Sequence, residues 1–154
     1  MERLTKRYII QSLDNLNLSK PIRYERYYIN DHLRIQKRED AYQKEILDDN
    51  NVLLKKENIK EEEFLDLKKQ AYQEIIRNSY LYLEDEKISI KEYLEKYEGL
   101  FRVEVKFNTK EEMDSYQKES WMGKEITLSP LAFDKDLSKL SRNEFVEELN
   151  KFLK

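Results

Sequence analysis

At 154 residues the chain is long enough for one domain with a real core, and 6 Phe, 11 Tyr and clear apolar periodicity argue against disorder. Its net charge of −3 conceals near-balance, 29 basic against 32 acidic residues, so no nucleic-acid partner is expected from the total. The lack of cysteine excludes disulfides, thiolate chemistry and cysteine-based zinc sites, and the two glycines leave no Gly-rich phosphate loop. No apolar run approaches the roughly 18 residues of a membrane span, and the charged N-terminus lacks a signal peptide's apolar core. The expectation is a cytoplasmic protein, residues 1–154 forming a single domain with no membrane partner.

Met1 to Ile10 alternates: Leu4, Lys6, Tyr8 and Ile10 share one parity, and Arg3, Thr5, Arg7 and Ile9 the other, which reads as a strand. A polar connector closed by Pro21 follows. Ile22 to Ile29, rich in Tyr and Arg, reads as a second strand, Asn30-Asp31 as a turn, and Leu33 to Gln36 as the start of a third. Tyr42 to Leu47 and Val52 to Glu57 flank Asp48-Asp49-Asn50-Asn51, a hairpin signal. From Lys60 the period changes. Phe64, Leu67, Ala71 and Ile75 fall at helical spacing, with Glu61–Glu63 suited to the positive end of the helix dipole. Tyr80 to Leu83 and Lys87 to Tyr93 then read as a strand pair around Glu84-Asp85.

The stretch from Gly99 to Leu137 organises the rest. Val103, Val105 and Phe107 point one way along a strand, and Arg102, Glu104 and Lys106 the other. Thr109 and Glu112 make a capping box, and Met113 and Tyr116 form a short apolar stripe able to cover the Val/Phe face. Ser141 and Glu144 make a second capping box, ahead of an amphipathic helix carrying Phe145, Leu149 and Phe152. These elements predict an antiparallel α+β domain. A closed β-barrel of about eight strands with helices outside fits, because closure removes sheet edges and gives charged residues an interior to line.

Glu104-Val105-Lys106-Phe107, Thr109-Lys110-Glu111-Glu112, Trp121-Met122-Gly123-Lys124-Glu125-Ile126-Thr127, Pro130 and Asp134-x-Asp136-Leu137 together resemble the C-terminal half of the CYTH family, also called triphosphate tunnel metalloenzymes. The resemblance implies an eight-stranded tunnel in which Arg and Lys bind a triphosphate while Glu and Asp hold a divalent metal. Carried over residue by residue, it assigns phosphate binding to Arg7, Arg34, Arg77, Lys91, Arg102 and Lys106. Lys44 is a further match of uncertain register.

The chain departs from the family pattern in one direction. Places where the family sets metal-binding carboxylates carry Arg3, Thr5, Ser89, Lys91 and Lys106, which leaves Glu104 alone. Glu104 is either a remaining metal ligand or the ion-pair partner of neighbouring cations. The pair is favoured, since magnesium normally takes one or two carboxylates beside substrate phosphates, and extra cations repel it.

Simpler readings stand beside these. An alternating charged strand face is usually a solvated one; His32 beside a turn reads as surface. Glu61–Glu63 read as a helix start, the Tyr-rich run at 24–28 as strand rather than base-stacking platform, and Trp121 as a packing anchor. The resulting expectation is a tunnel domain that binds a phosphate-rich anion (triphosphate, polyphosphate or nucleotide), with hydrolysis reduced or absent. The alternatives are an active triphosphatase using Mg or Mn, and a non-catalytic protein-interaction module.

Overall fold

In the computed structural model, which describes residues 4–153, alternation along short segments yields eight antiparallel strands. They are β1 (Thr5–Ile10), β2 (Ile22–Asn30), β3 (Leu33–Arg38), β4 (Ala41–Leu47), β5 (Leu53–Asn58), β6 (Gln73–Leu81), β7 (Ile88–Tyr93) and β8 (Phe101–Lys106). The sheet order is β1-β8-β7-β6-β2-β3-β4-β5. Four helices accompany it: α1 (Glu61–Lys68), α2 (Lys110–Ser115), α3 (Asp134–Ser138) and α4 (Arg142–Leu153). Among the described residues no helix is long and apolar enough to cross a membrane.

The outer face is covered by helices. Val103, Val105 and Phe107 lie in a buried cluster with Tyr8, Ile88 and Ile90, against which Met113 and Tyr116 pack, as the period-2 reading of β8 expects. Thr109 caps α2 by accepting from the Glu112 backbone N–H at 3.1 Å, while the Glu112 carboxylate reaches back to the N–H of Asn108 rather than that of Thr109. The Ser141–Glu144 box closes in both directions, at 3.1 and 2.9 Å. Over the other half of the sheet, Phe64 of α1 packs on Tyr27, Ile35 and Tyr42.

The inner face changes chemistry along each strand. Ile9, Tyr28, Ile75, Tyr93 and Leu100 sit at one end, sealed under Leu131, Leu137, Phe145 and Leu149. Two residues further along the same faces stand Arg7, Arg26, Arg77, Lys91 and Arg102. Along β8 and the residue before it, Leu100, Arg102 and Glu104 are buried and Lys106 is exposed, which marks the direction from the sealed end to the mouth.

The structure corrects three expectations. The helix beginning near Lys60 ends at Lys68, and Ile75 belongs to β6, whose ladder with β2 already starts at Tyr28–Gln73. Helical spacing from Phe64 through Ile75 continued across a boundary by coincidence, and β6 starts seven residues before the expected Tyr80 to Leu83 strand and ends at Leu81. The strand expected from Met1 begins, among the described residues, at Thr5; Arg3 lies outside them.

The third concerns closure. Among the described residues no ladder joins β1 to β5, so hydrogen bonds do not close the sheet into a barrel. The reason is that another segment has taken the outer edge of β1. Ile9 N–H donates to Lys124 O, Gly123 N–H to Ile9 O and Ile126 N–H to Arg7 O, at 2.8–3.0 Å, and Tyr8 bridges to Glu125. The Trp121–Thr127 stretch thus lies along β1 in place of β5. Gly123 is required there, since a Cβ would stand 2.5 Å from Ile9 O.

A cation-lined cavity as the candidate site

The inward charges of β1, β2, β3, β6, β7 and β8 meet around one cavity of about 640 Å³. All seven residues singled out from the sequence, Arg7, Arg34, Arg77, Lys91, Arg102, Glu104 and Lys106, line it. Each stands on the strand face opposite α1 and α2, and the pairing of the strands brings them together. Lys106 lies exposed at the rim. Lys44 is not among the lining residues: it faces α1 and pairs with Glu57 and Glu63, both at 3.2 Å, while its neighbour Glu45 turns inward. His32 is exposed, and Trp121 packs beside Tyr82 with ring centroids 5.2 Å apart, as expected of each.

Two carboxylates organise the cations. Glu104 stands 2.7 Å from Arg7, 3.5 Å from Lys91 and 3.5 Å from Arg102. Asp134, at the start of α3, contacts Arg26 at 3.1 Å, Arg77 at 3.0 Å and Arg102 at 3.2 Å, and accepts from the Tyr93 hydroxyl at 2.6 Å. Deeper along β3, Arg34 pairs with Glu45 at 2.9 Å. Aromatic faces brace three guanidinium groups: Phe133 under Arg7 at 4.3 Å, Tyr24 under Arg77 at 4.6 Å and Tyr93 under Arg102 at 5.1 Å. The Nε atoms of Arg7 and Arg102 are buried and without a hydrogen-bond partner.

Burial and charge compete at each group. Burial would raise the Glu104 and Asp134 carboxyls, but Arg102, Lys91 and Arg7 around the first, and Arg77, Arg102 and Arg26 around the second, hold both well below the usual carboxylate range. Lys91 goes the other way. Burial lowers its ammonium to about 8, helped by Arg77 and Arg102 and opposed by Glu104. Burial likewise lowers Arg7, to about 10, against the pull of Glu104.

The carboxylates of the site are engaged by Arg and Lys rather than free for a divalent cation. Arg26 escaped the sequence analysis, and Asp134 entered it only within the Asp134-x-Asp136-Leu137 motif, with no role assigned. Arg26 shares its inward parity with Tyr24 and Tyr28, a signal present in the strand pattern. Nothing local marked Asp134 as the partner of these arginines, which lie 32 to 108 positions away.

No protein-family profile matches the chain, and no curated protein sequence matches it. Solved structures do. One of NE1496, described as a hypothetical protein, superposes with a TM-score of 0.75 at 14% identity, covering 91% of this chain and 99% of that one. A second, in which NE1496 is described as an inorganic triphosphatase, superposes with a TM-score of 0.73 at 14% identity, covering 90% and 95%. At that identity the likeness is one of fold, and it agrees with the eight-stranded antiparallel sheet and its accompanying helices. The chain shares the fold of these NE1496 structures over nine-tenths of its length.

Proposed function

We propose that this domain binds a phosphate-rich anion (inorganic triphosphate, polyphosphate or a nucleotide) in the cation-lined cavity, with hydrolysis reduced or absent. One observation carries the reading. Arg7, Arg26, Arg34, Arg77, Lys91 and Arg102, each with a side chain at most 17% exposed, are paired among the described residues with Glu45, Glu104 and Asp134, six cations to three carboxylates around one cavity. Concentrating like charge away from water is costly unless an anion completes it. Guanidinium groups fixed by ion pairs and aromatic faces are preorganised for phosphate oxygens, so little is lost in ordering them on binding. Lys91 supplies charge where the family carries a metal-binding carboxylate, and Lys106 does so at the rim. Binding then needs no metal.

The experiment is thermal melting with sodium tripolyphosphate in low salt with a chelator present. At about one hundred times the dissociation constant a ligand adds about 2.7 kcal/mol, and the shift should shrink as salt is raised. An unchanged melting temperature at millimolar tripolyphosphate would favour a domain that only contacts other proteins. A second reading, an active metal-dependent triphosphatase, is favoured by the likeness to NE1496, described as an inorganic triphosphatase. Phosphate release that appears with magnesium or manganese and vanishes with chelator would establish it against ours.

A further inference from the structure

We propose that Asp134 is a built-in anion filling one phosphoryl-sized position, so that the cavity takes anions of two phosphoryl groups and gains little from a third. This inference rests on the anion-binding reading above. Three of the six enclosed cations, Arg26, Arg77 and Arg102, converge on the Asp134 carboxylate within 3.0–3.2 Å, and the Tyr93 hydroxyl donates to it at 2.6 Å. That is how a terminal phosphoryl group is held: several charged donors and one hydroxyl around clustered oxygens.

The carboxylate is fixed rather than hung on a mobile arm. Arg7 donates to Ala132 O and Arg102 to Leu131 O at 3.1 Å, so two of the enclosed cations fasten the backbone leading to it. Ser129 accepts from the Leu131 N–H at 3.1 Å, and Leu131 and Leu137 on either side are fully buried. A ligand entering from the Lys106 rim therefore meets this position already filled. Arg7 and Lys91, shared with Glu104, and Arg34, paired with Glu45, remain for it.

The test is titration calorimetry of the unaltered protein at low salt with orthophosphate, pyrophosphate and tripolyphosphate in turn. Pyrophosphate should bind about tenfold or more tighter than orthophosphate, while tripolyphosphate should improve on pyrophosphate by at most about threefold. A larger step from pyrophosphate to tripolyphosphate overturns the inference and leaves the anion-binding reading standing; binding of none of the three removes that reading and the inference with it. In Asp134→Ala, which removes both the charge and the bulk of the carboxylate, the emptied position should restore a step of about tenfold between pyrophosphate and tripolyphosphate. A folded Asp134→Ala protein that keeps the wild-type ratio overturns the inference. Should the variant fail to fold, the wild-type series decides alone.

Discussion

Lys91 carries its proton on narrow terms. Burial and the nearby guanidinium groups bring it to about 8, and a bound polyanion must raise it. Tripolyphosphate affinity should therefore be flat below pH 8 and fall above it, by up to about tenfold per pH unit until the bound-state pKa is reached. Calorimetry from pH 7 to 9.5 reads both the decline and the accompanying proton uptake, and Lys91→Arg should flatten the profile. For stability the sign reverses. Unfolded lysine binds the proton more tightly, so above about pH 8 this group makes the unliganded fold more stable as pH rises. Glu104→Gln should cost about 3–5 kcal/mol in urea melts without ligand, because three enclosed cations lose their shared partner, and tripolyphosphate should recover part of that loss. Much of this site was legible in the sequence: parity along one strand turns Arg102 and Glu104 to the same side, and the family resemblance named Arg7 and Arg77. Asp134 was not: a carboxylate near a helix start looks the same whether it meets water or three arginines.

At the scale of the element, β8 and α2 behave as one unit. Phe107 meets Tyr116 edge-on, with ring centroids 5.1 Å apart, and closes the cluster around Val103 and Val105. Phe107→Ala should cost about 3–5 kcal/mol and Thr109→Ala about 1 kcal/mol, both readable by denaturant melts. If the two losses were equal, packing would not be the dominant contribution. This unit was readable because its signals are local: alternation, a cap and a stripe within sixteen positions of each other. The boundary between α1 and β6 was not, because Ala71 and Ile75 extend a helical period whose end is set by the pairing of β6 with β2. Closure of the sheet was equally hidden. It depends on which of two segments reaches the edge of β1 first in energy, a competition between distant parts of the chain.

For the whole molecule, the carboxylates that neutralise the interior set its tolerance to acid. Glu45, Glu104 and Asp134 are all held below the values of about 4 they have in the unfolded chain, so their contribution is complete above roughly pH 5 and is lost as pH falls below it. Melting temperature should drop steeply below pH 4, and less steeply in Asp134→Asn; parallel curves would show that Asp134 adds nothing to acid sensitivity. The way β1 is secured has a further consequence, for the order of folding. Its ladder partner β8 lies about one hundred positions downstream, and its outer edge is finished only by Gly123–Thr127. Contacts this distant must close large loops before they return anything, which places such a chain among slow folders, in milliseconds to seconds. As the chain emerges from a ribosome, β2 to β5 can find their hairpin neighbours early. Arg7 cannot take its place until nearly everything through Asp134 has followed, so the cation-lined cavity is among the last features to exist.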